Sequence, residues 1–227
     1  MPIRAVAFDV DGTLYRNASM YIRSLPYALR HWRLIAAYRR IRKQVRRERP
    51  IHDLQARERQ LLAQAMNISE EEAGRLIDVE IHENWESNLD HVSPYPYVRS
   101  AIEALHQQGL RIAVSSDFPV ERKLERLGLA DLFDCGLWSE ESGYLKPHPE
   151  PFLALAECIG SPPEEVLYVG NSYEYDVVGA KRVGMWAAHL RRWPVPGSIA
   201  DFSFRDYRQL PEWVAAVNRE ENLSHSE

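Results

Sequence analysis

The chain has 227 residues, with 28 Lys plus Arg, 33 Asp plus Glu and 45% hydrophobic residues. That allows one domain with a sizeable core, or one domain with a smaller insertion, and the composition excludes fibrous, disordered and membrane-spanning classes. The net charge of −5 is mild, but residues 16–65 carry 13 Lys plus Arg against 3 Asp plus Glu, so the basic charge is concentrated in one segment.

In chain order, residues 3–8 read as a buried strand. Residues 24–47 read as one long helix, with Ser24 as cap, Pro26 in the first turn, and Leu25, Leu29, Trp32, Ile35, Tyr38, Ile41 and Val45 recurring at helical spacing. A second helix is expected over 53–66 and a third from Ser69 to about Leu89, opened by a Ser69/Glu72 capping-box pattern. The segment Ser93-Pro94-Tyr95-Pro96 reads as a linker. Strands then alternate with helices: helix 98–107, strand 110–115, helix 120–127, an extended stretch within 132–138, helix 151–159, strand 166–169, helix 173–183 and strand 185–190. Such alternation predicts an α/β fold with a doubly wound parallel sheet, Rossmann-like, covered by helices on both faces. Residues 16–92 then form an inserted α-helical cap, and residues 1–15 and 93–227 the core.

Cys135 and Cys158 offer neither a disulfide framework nor metal-ligand spacing, and Cys158 reads as a small buried hydrophobe. A reducing compartment, the cytoplasm, is the expectation. No run approaches the roughly 20 apolar residues of a spanning helix, and Asp9 and Asp11 interrupt the apolar N-terminus, which argues against a signal peptide.

The most informative string is Asp9-Val-Asp11-Gly-Thr13-Leu, directly after the first strand. Two carboxylates this close repel unless a cation or a shared proton intervenes, so the pair points to a metal, to split protonation roles, or to both. Three further segments follow the same logic. Ser116 falls at the end of the strand that starts after Gly109, Lys146 sits in a Pro-stiffened loop, and Asn171 to Asp176 follow the strand ending at Val169. In open parallel sheets ligands bind beyond the carboxyl ends of the strands. The strand-end segments meet there, and the lysine loop can reach them.

Together these four ordered motifs resemble the haloacid dehalogenase-like hydrolase superfamily, in the subgroup with a helical cap after the first motif. The resemblance implies that Asp9 is a nucleophile forming an aspartyl-phosphate, that Asp11 is the general acid/base, and that Thr13 positions the pair. It further implies that Ser116 and Lys146 bind the phosphoryl group beside Asp117, and that Mg²⁺ is held by Asp9, Asp11, Asn171 and Asp176. The implied activity is Mg²⁺-dependent hydrolysis of a small phosphorylated metabolite. Asn171 departs from the pattern, because the family usually has an acid there; an amide oxygen can ligate Mg²⁺ but with less charge. That departure keeps two alternatives open: a catalytically weakened binding or scaffold protein that uses the basic cap, and a metal-independent dehalogenase-type hydrolase. Asp11 opposes the second, since dehalogenases of this superfamily lack the second acid of the first motif. The basic helix carries Arg39, Arg40, Arg42, Lys43, Arg46 and Arg47; it reads as a solvated face, a steering field for anionic substrate, or a contact for an anionic partner, with no specific nucleic acid expected.

Overall fold

The computed structural model describes residues 1–193 and 195–224. Six strands form one sheet: β1 (Ala5–Asp9), β2 (Arg111–Ser116), β3 (Cys135–Trp138), β4 (Val166–Gly170), β5 (Trp186–Leu190) and β6 (Phe202–Phe204), in the order β3-β2-β1-β4-β5-β6. All pairings are parallel, and β1 lies between β2 and β4 with Asp9 opposite Ser115. This is the doubly wound Rossmann-like α/β architecture. Because side chains alternate across a strand, β1 feeds two layers. Val6 and Phe8 join Ile102, Leu105, Leu124 and Leu210 on one face, while Ala5 and Ala7 join Phe152, Leu155, Ile159 and Val177 on the other. All five residues of β1 are buried, so its carboxyl end is a fixed platform.

Between β1 and the rest stands a helical block. It comprises α1 (Asn17–Arg30), α2 (Trp32–Val45), α3 (Leu54–Met66) and α4 (Glu70–Arg75), the last running through a π-helical stretch Leu76–Glu83 into α5 (Asn84–Ser87). Asp53 caps α3 and Ser69 caps α4, each accepting a backbone N–H three residues on. The block has its own apolar cluster, including Leu34, Tyr38, Ile41, Val45, Leu62 and Ile77. The expected single helix over 24–47 is two helices. The backbone leaves helical geometry at His31, whose ring stacks on Tyr27 with centroids 4.2 Å apart. Ser24 is therefore inside α1 rather than at a cap, and its hydroxyl is buried without a partner. The break also divides the apolar stripe. Tyr38, Ile41 and Val45 are buried, whereas Leu25 is 54%, Leu29 67% and Trp32 64% exposed.

The core helices are α6 (Val98–Gln107), α7 (Glu121–Leu127), α8 (Pro149–Ile159), α9 (Val178–Arg182) and α10 (Gln209–Ser224). Strand β6 and α10 extend the sheet beyond the elements expected from sequence; Phe202 stacks on Trp213 at 4.8 Å. The cysteine expectation is corrected. Cys135 of β3 and Cys158 of α8 form a disulfide, with Cα atoms 6.2 Å apart. The buried face of α8 is Phe152, Leu155, Ala156 and Ile159, so Cys158 falls off it and is exposed. The pairing removes the argument for a reducing compartment. Among the described residues no helix is long and apolar enough to cross a membrane.

Helix α2 is fastened to the core by charge. The Arg42 guanidinium, 5% exposed, donates to Glu58 of α3 at 3.0 Å, to Glu140 after β3, and to the Asp117 carbonyl at 2.7 Å. Arg46 donates to the Asp117 carboxylate and, at 3.0 Å, to the Lys146 carbonyl. Two of the six basic residues singled out on this helix therefore belong to a buried clamp; Arg39, Arg40, Lys43 and Arg47 are exposed. Asp117, expected to bind substrate, instead closes this clamp. Burial would raise its pKa, but Arg46, Lys146 and Arg42 outweigh that and bring it down to about 2, and a carboxylate held ionised would repel a phosphate.

Removing Arg42 strands two buried carboxylates. Arg42→Ala is expected to cost about 3–5 kcal/mol, read from urea unfolding, and Arg42→Ala/Glu58→Gln/Glu140→Gln to recover part of that loss. The Asp117 pKa lies below the ordinary carboxylate value, so its stabilisation is present above about pH 4 and disappears as pH falls toward 2; the shift corresponds to about 2 kcal/mol. Between pH 5 and pH 3 the wild type should lose more stability than Arg46→Gln does, measured as the change in unfolding free energy.

Candidate active site

The site forms where β1, β2 and β4 end. The chain leaves β1 through Asp9 and turns at Gly12, whose φ is +91°. A Cβ at residue 12 would lie 2.4 Å from the Asn171 amide nitrogen and 2.3 Å from that of Asn17, so only glycine lets these loops approach. Thr13 then sits under Asp9. Its hydroxyl donates to Asp9 Oδ2 at 2.8 Å and lies 3.4 Å from Asn171 Oδ1. The buried Tyr207, just before α10, donates its hydroxyl to the Thr13 carbonyl at 2.6 Å, so the C-terminal segment braces the turn.

Lys146 is 3% exposed and divides its ammonium between Asp9 Oδ1 at 2.7 Å, Asp176 Oδ1 at 2.9 Å and the Tyr168 hydroxyl at 2.9 Å. This matches the three N–H donors of an ammonium to three acceptors. Asp176 completes its set by accepting the Ser172 N–H at 2.9 Å. A Cβ on Gly170 would fall 2.3 Å from the Asp176 Cβ, so that glycine permits the close pass. Burial drives the Asp9 pKa up to about 7; Lys146 opposes the rise, and the Asp176 and Asp11 charges add to it. The same surroundings hold the Lys146 pKa well above its usual value: burial lowers it, but the paired carboxylates Asp176 and Asp9 outweigh that.

Asp11 lies in a ring of donors. Its Oδ1 accepts from the Tyr15 hydroxyl and from Trp85 Nε1 at 3.1 Å; its Oδ2 accepts from Ser116 Oγ at 2.8 Å and Lys123 Nζ at 2.5 Å. Burial would raise the Asp11 pKa, but the Lys123 ammonium and these hydrogen bonds together lower it. Ser116 is fully buried and also accepts from Lys123 at 3.0 Å. Its neighbour Ser115 points the other way, to the Tyr168 hydroxyl at 2.9 Å.

The structure thus brings Asp9, Asp11, Thr13, Ser116, Lys146, Asn171 and Asp176 to one place and directs the Asp117 carboxylate into the clamp. Four participants were missed from sequence: Tyr15, Trp85, Lys123 and Tyr168. Lys123 had a signal, since it shares the inward face of α7 with Val120 and Leu127 at i, i+3 and i+7 and is 0% exposed. Trp85 had none, because its contact with Asp11 spans 74 residues.

The donor set suits a hard divalent cation. The Asp9 carboxylate, the Asp11 main-chain carbonyl and the Asn171 amide oxygen are all oxygens, and Thr13 links Asp9 to Asn171. Among the described residues no three His, Cys, Asp or Glu side chains cluster as a metal site; this set instead relies on a carbonyl and an amide. Asp176 contributes charge rather than a free oxygen, since Lys146 and the Ser172 amide hold both of its oxygens.

The haloacid dehalogenase-like hydrolase family model matches residues 3–184. A glyceraldehyde 3-phosphate phosphatase of Methanopyrus kandleri is 30% identical over 96% of this chain and 95% of that protein. A phosphoglycolate phosphatase of Haemophilus influenzae is 27% identical over 91% and 96%. Among solved structures, a 2-haloacid dehalogenase from Pseudomonas syringae pv. Tomato superposes with a TM-score of 0.67 at 28% identity, covering 94% of this chain and 98% of that one. A HAD phosphatase from Thermococcus onnurineus superposes at 0.62 with 24% identity, covering 93% and 98%. With the family model spanning most of the sheet and all four motif segments, the chain belongs to the haloacid dehalogenase-like hydrolase family.

Proposed function

We propose that this hydrolase is a phosphatase that cleaves a small phosphorylated metabolite through a phosphorylated Asp9. One observation carries the reading: the Asp9 carboxylate, fixed by Lys146 and Thr13, stands beside a second carboxylate, Asp11, that has its own set of donors. A dehalogenase needs only the first. The phosphatase relatives covering nearly the whole chain point the same way.

In the first half-reaction an Asp9 oxygen attacks phosphorus and the bond to the leaving oxygen breaks. Asp11 delivers the proton that oxygen needs. In the second half-reaction Asp11 takes a proton from water, the water oxygen attacks phosphorus, and the bond to Asp9 breaks, releasing phosphate. Lys146 neutralises the approach of one anion to another. An incoming phosphoryl group competes for Ser116 and Lys123, and the donors it takes from Asp11 raise that carboxyl's affinity for the proton it must deliver. Asp9, the Asp11 carbonyl and Asn171 would hold Mg²⁺, which would supply further charge neutralisation. The helical block acts as a cap that excludes water from the buried pair.

Asp9→Asn is expected to abolish turnover with the fold intact, and an acid quench of the wild type with labelled substrate should leave label on Asp9. Label on another residue, or normal turnover by Asp9→Asn, contradicts the mechanism. Asn171→Asp adds a charged oxygen and should lower the Mg²⁺ concentration needed for half-maximal activity by about tenfold. Full activity in excess chelator would favour the metal-independent reading that Asn171 keeps open.

A further inference from the structure

The Asp9 carboxylate is nearly sealed, at 6% exposed. Alongside it opens a cleft of about 590 Å³. Gly12, Asn17 and Asn171 lie at its catalytic side, and Arg16, Arg191, Arg192 and Arg205 surround it. The arginines come from three separate places: the start of the helical block, the turn after β5 and the turn after β6. The chain has more acidic than basic residues, yet among the described residues no acidic one lines this cleft.

Among the described residues none of the four guanidinium groups forms a direct ion pair with a carboxylate, although Arg205 is near enough to Asp206 to help lower its pKa. By contrast Arg208, three residues beyond Arg205, is paired with Asp206 at 2.7 Å. Two of the four lie over aromatic rings instead, Arg16 over Tyr95 at 5.6 Å and Arg192 over Trp193 at 5.5 Å. A stacked guanidinium keeps its N–H edge free for an oxyanion. A second feature lies at the cleft's catalytic side. The Asn17 amide donates to the Asp11 carbonyl at 3.2 Å, while its own Oδ1 is buried with no donor. Such an acceptor suits a hydroxyl of a bound molecule or an ordered water.

The cleft lies close to the nucleophile. Asn171 Oδ1 is 3.4 Å from the Thr13 hydroxyl, which is 2.8 Å from Asp9. We infer that this cleft holds a second anionic group of the substrate, so that the preferred substrate is a doubly anionic metabolite: a phosphate monoester that also bears a phosphate or a carboxylate. The inference rests on the phosphatase reading of the site. Unpaired arginines around an open cleft bind oxyanions by charge-assisted, often bidentate, hydrogen bonds. They lie away from the bond being broken, so they contribute equally to ground state and transition state and act on KM rather than kcat.

The test uses the full chain with Mg²⁺ and the variant Arg191→Gln/Arg192→Gln/Arg205→Gln, whose three side chains are exposed. The substrates are ribulose 1,5-bisphosphate, 2-phosphoglycolate and the singly phosphorylated p-nitrophenyl phosphate. The wild type should show a lower KM for a doubly anionic substrate than for p-nitrophenyl phosphate. In the variant that KM should rise about tenfold or more with kcat within about twofold, while kcat/KM for p-nitrophenyl phosphate changes less than about twofold. A rise on both doubly anionic substrates supports a general oxyanion site, and a rise on one alone identifies the group it holds. An equal loss on all three substrates overturns the proposal, because it reports only a long-range field; so does no loss on either doubly anionic substrate. Should the wild type hydrolyse none of the three, the phosphatase reading fails, and calorimetry of wild type and variant with the same compounds still decides the cleft. Tighter binding of a doubly anionic compound that is lost in the variant supports it, and equal binding to both proteins overturns it.

Discussion

The structure depends on one buried ammonium. Lys146 holds Asp9, at the end of β1, and Asp176, in the helical turn that follows β4, where carboxylates would otherwise repel each other and resist burial. Removing charges from water is costly unless each is paired and hydrogen-bonded. Here each donor of the ammonium has an acceptor, the third being the Tyr168 hydroxyl, which also meets Ser115 of β2. A single cation therefore ties together β1, β2, β4 and the loop before α8. The arrangement also sets the chemistry, since it presents a desolvated carboxylate that is already partly compensated.

A parallel arrangement joins the helical block to the core. Arg42 is buried among Glu58, Glu140 and the Asp117 carbonyl, and Arg46 reaches both the Asp117 carboxylate and the carbonyl of Lys146 itself. The two charge networks thus meet at the backbone of residue 146, and Asp117 directly follows Ser116 of the catalytic ring. The segment from α2 to Arg46 and the candidate catalytic residues therefore share a contact at residue 146. Burial raises the Glu140 pKa to about 7 against the pull of Arg42, with Glu58 adding to the rise. Burial thus disfavours the charged form at the Glu140 end of the clamp, whereas the arginines and Lys146 favour it at the Asp117 end.

Five of the six strands, all but the three-residue β6, were legible because they are short apolar runs bounded by glycine and polar residues, and each motif sits at a strand end or in a proline-stiffened loop. Local pattern suffices for that. It did not suffice for the helical block, where an unbroken helical period runs across His31 although the backbone does not. The ring stacking that accompanies the break, and the outward turn of Leu25 and Leu29, depend on neighbours that periodicity does not encode. The cysteine pair was missed for the same reason, since β3 and α8 must be packed before the two Cα atoms come within 6.2 Å. At the site, the residues within strand-end motifs were readable, whereas Tyr15, Trp85 and Lys123 enter through tertiary contacts with Asp11.

That second group changes how the motif is understood. The Asp-x-Asp spacing says that two carboxylates are close, and it does not say which one is protonated. Their surroundings separate them: burial raises the Asp9 pKa, with Lys146 opposing the rise; burial would raise the Asp11 pKa too, but Lys123 and the Tyr15 and Ser116 hydroxyls bring it down. The proposed acid role of Asp11 therefore requires an incoming phosphoryl group to draw those donors away. Two similar acids, two residues apart, are given different proton affinities by side chains up to 137 residues away. The same division explains why Asn171 is tolerable beside them. The charge that an acid would add there must be balanced against Asp9, Asp11 and Asp176, and only two lysines, 146 and 123, pair with those three carboxylates. In the proposed cation site a neutral amide oxygen would keep a hard donor in place without a fourth buried negative charge, at the expense of attraction for the cation.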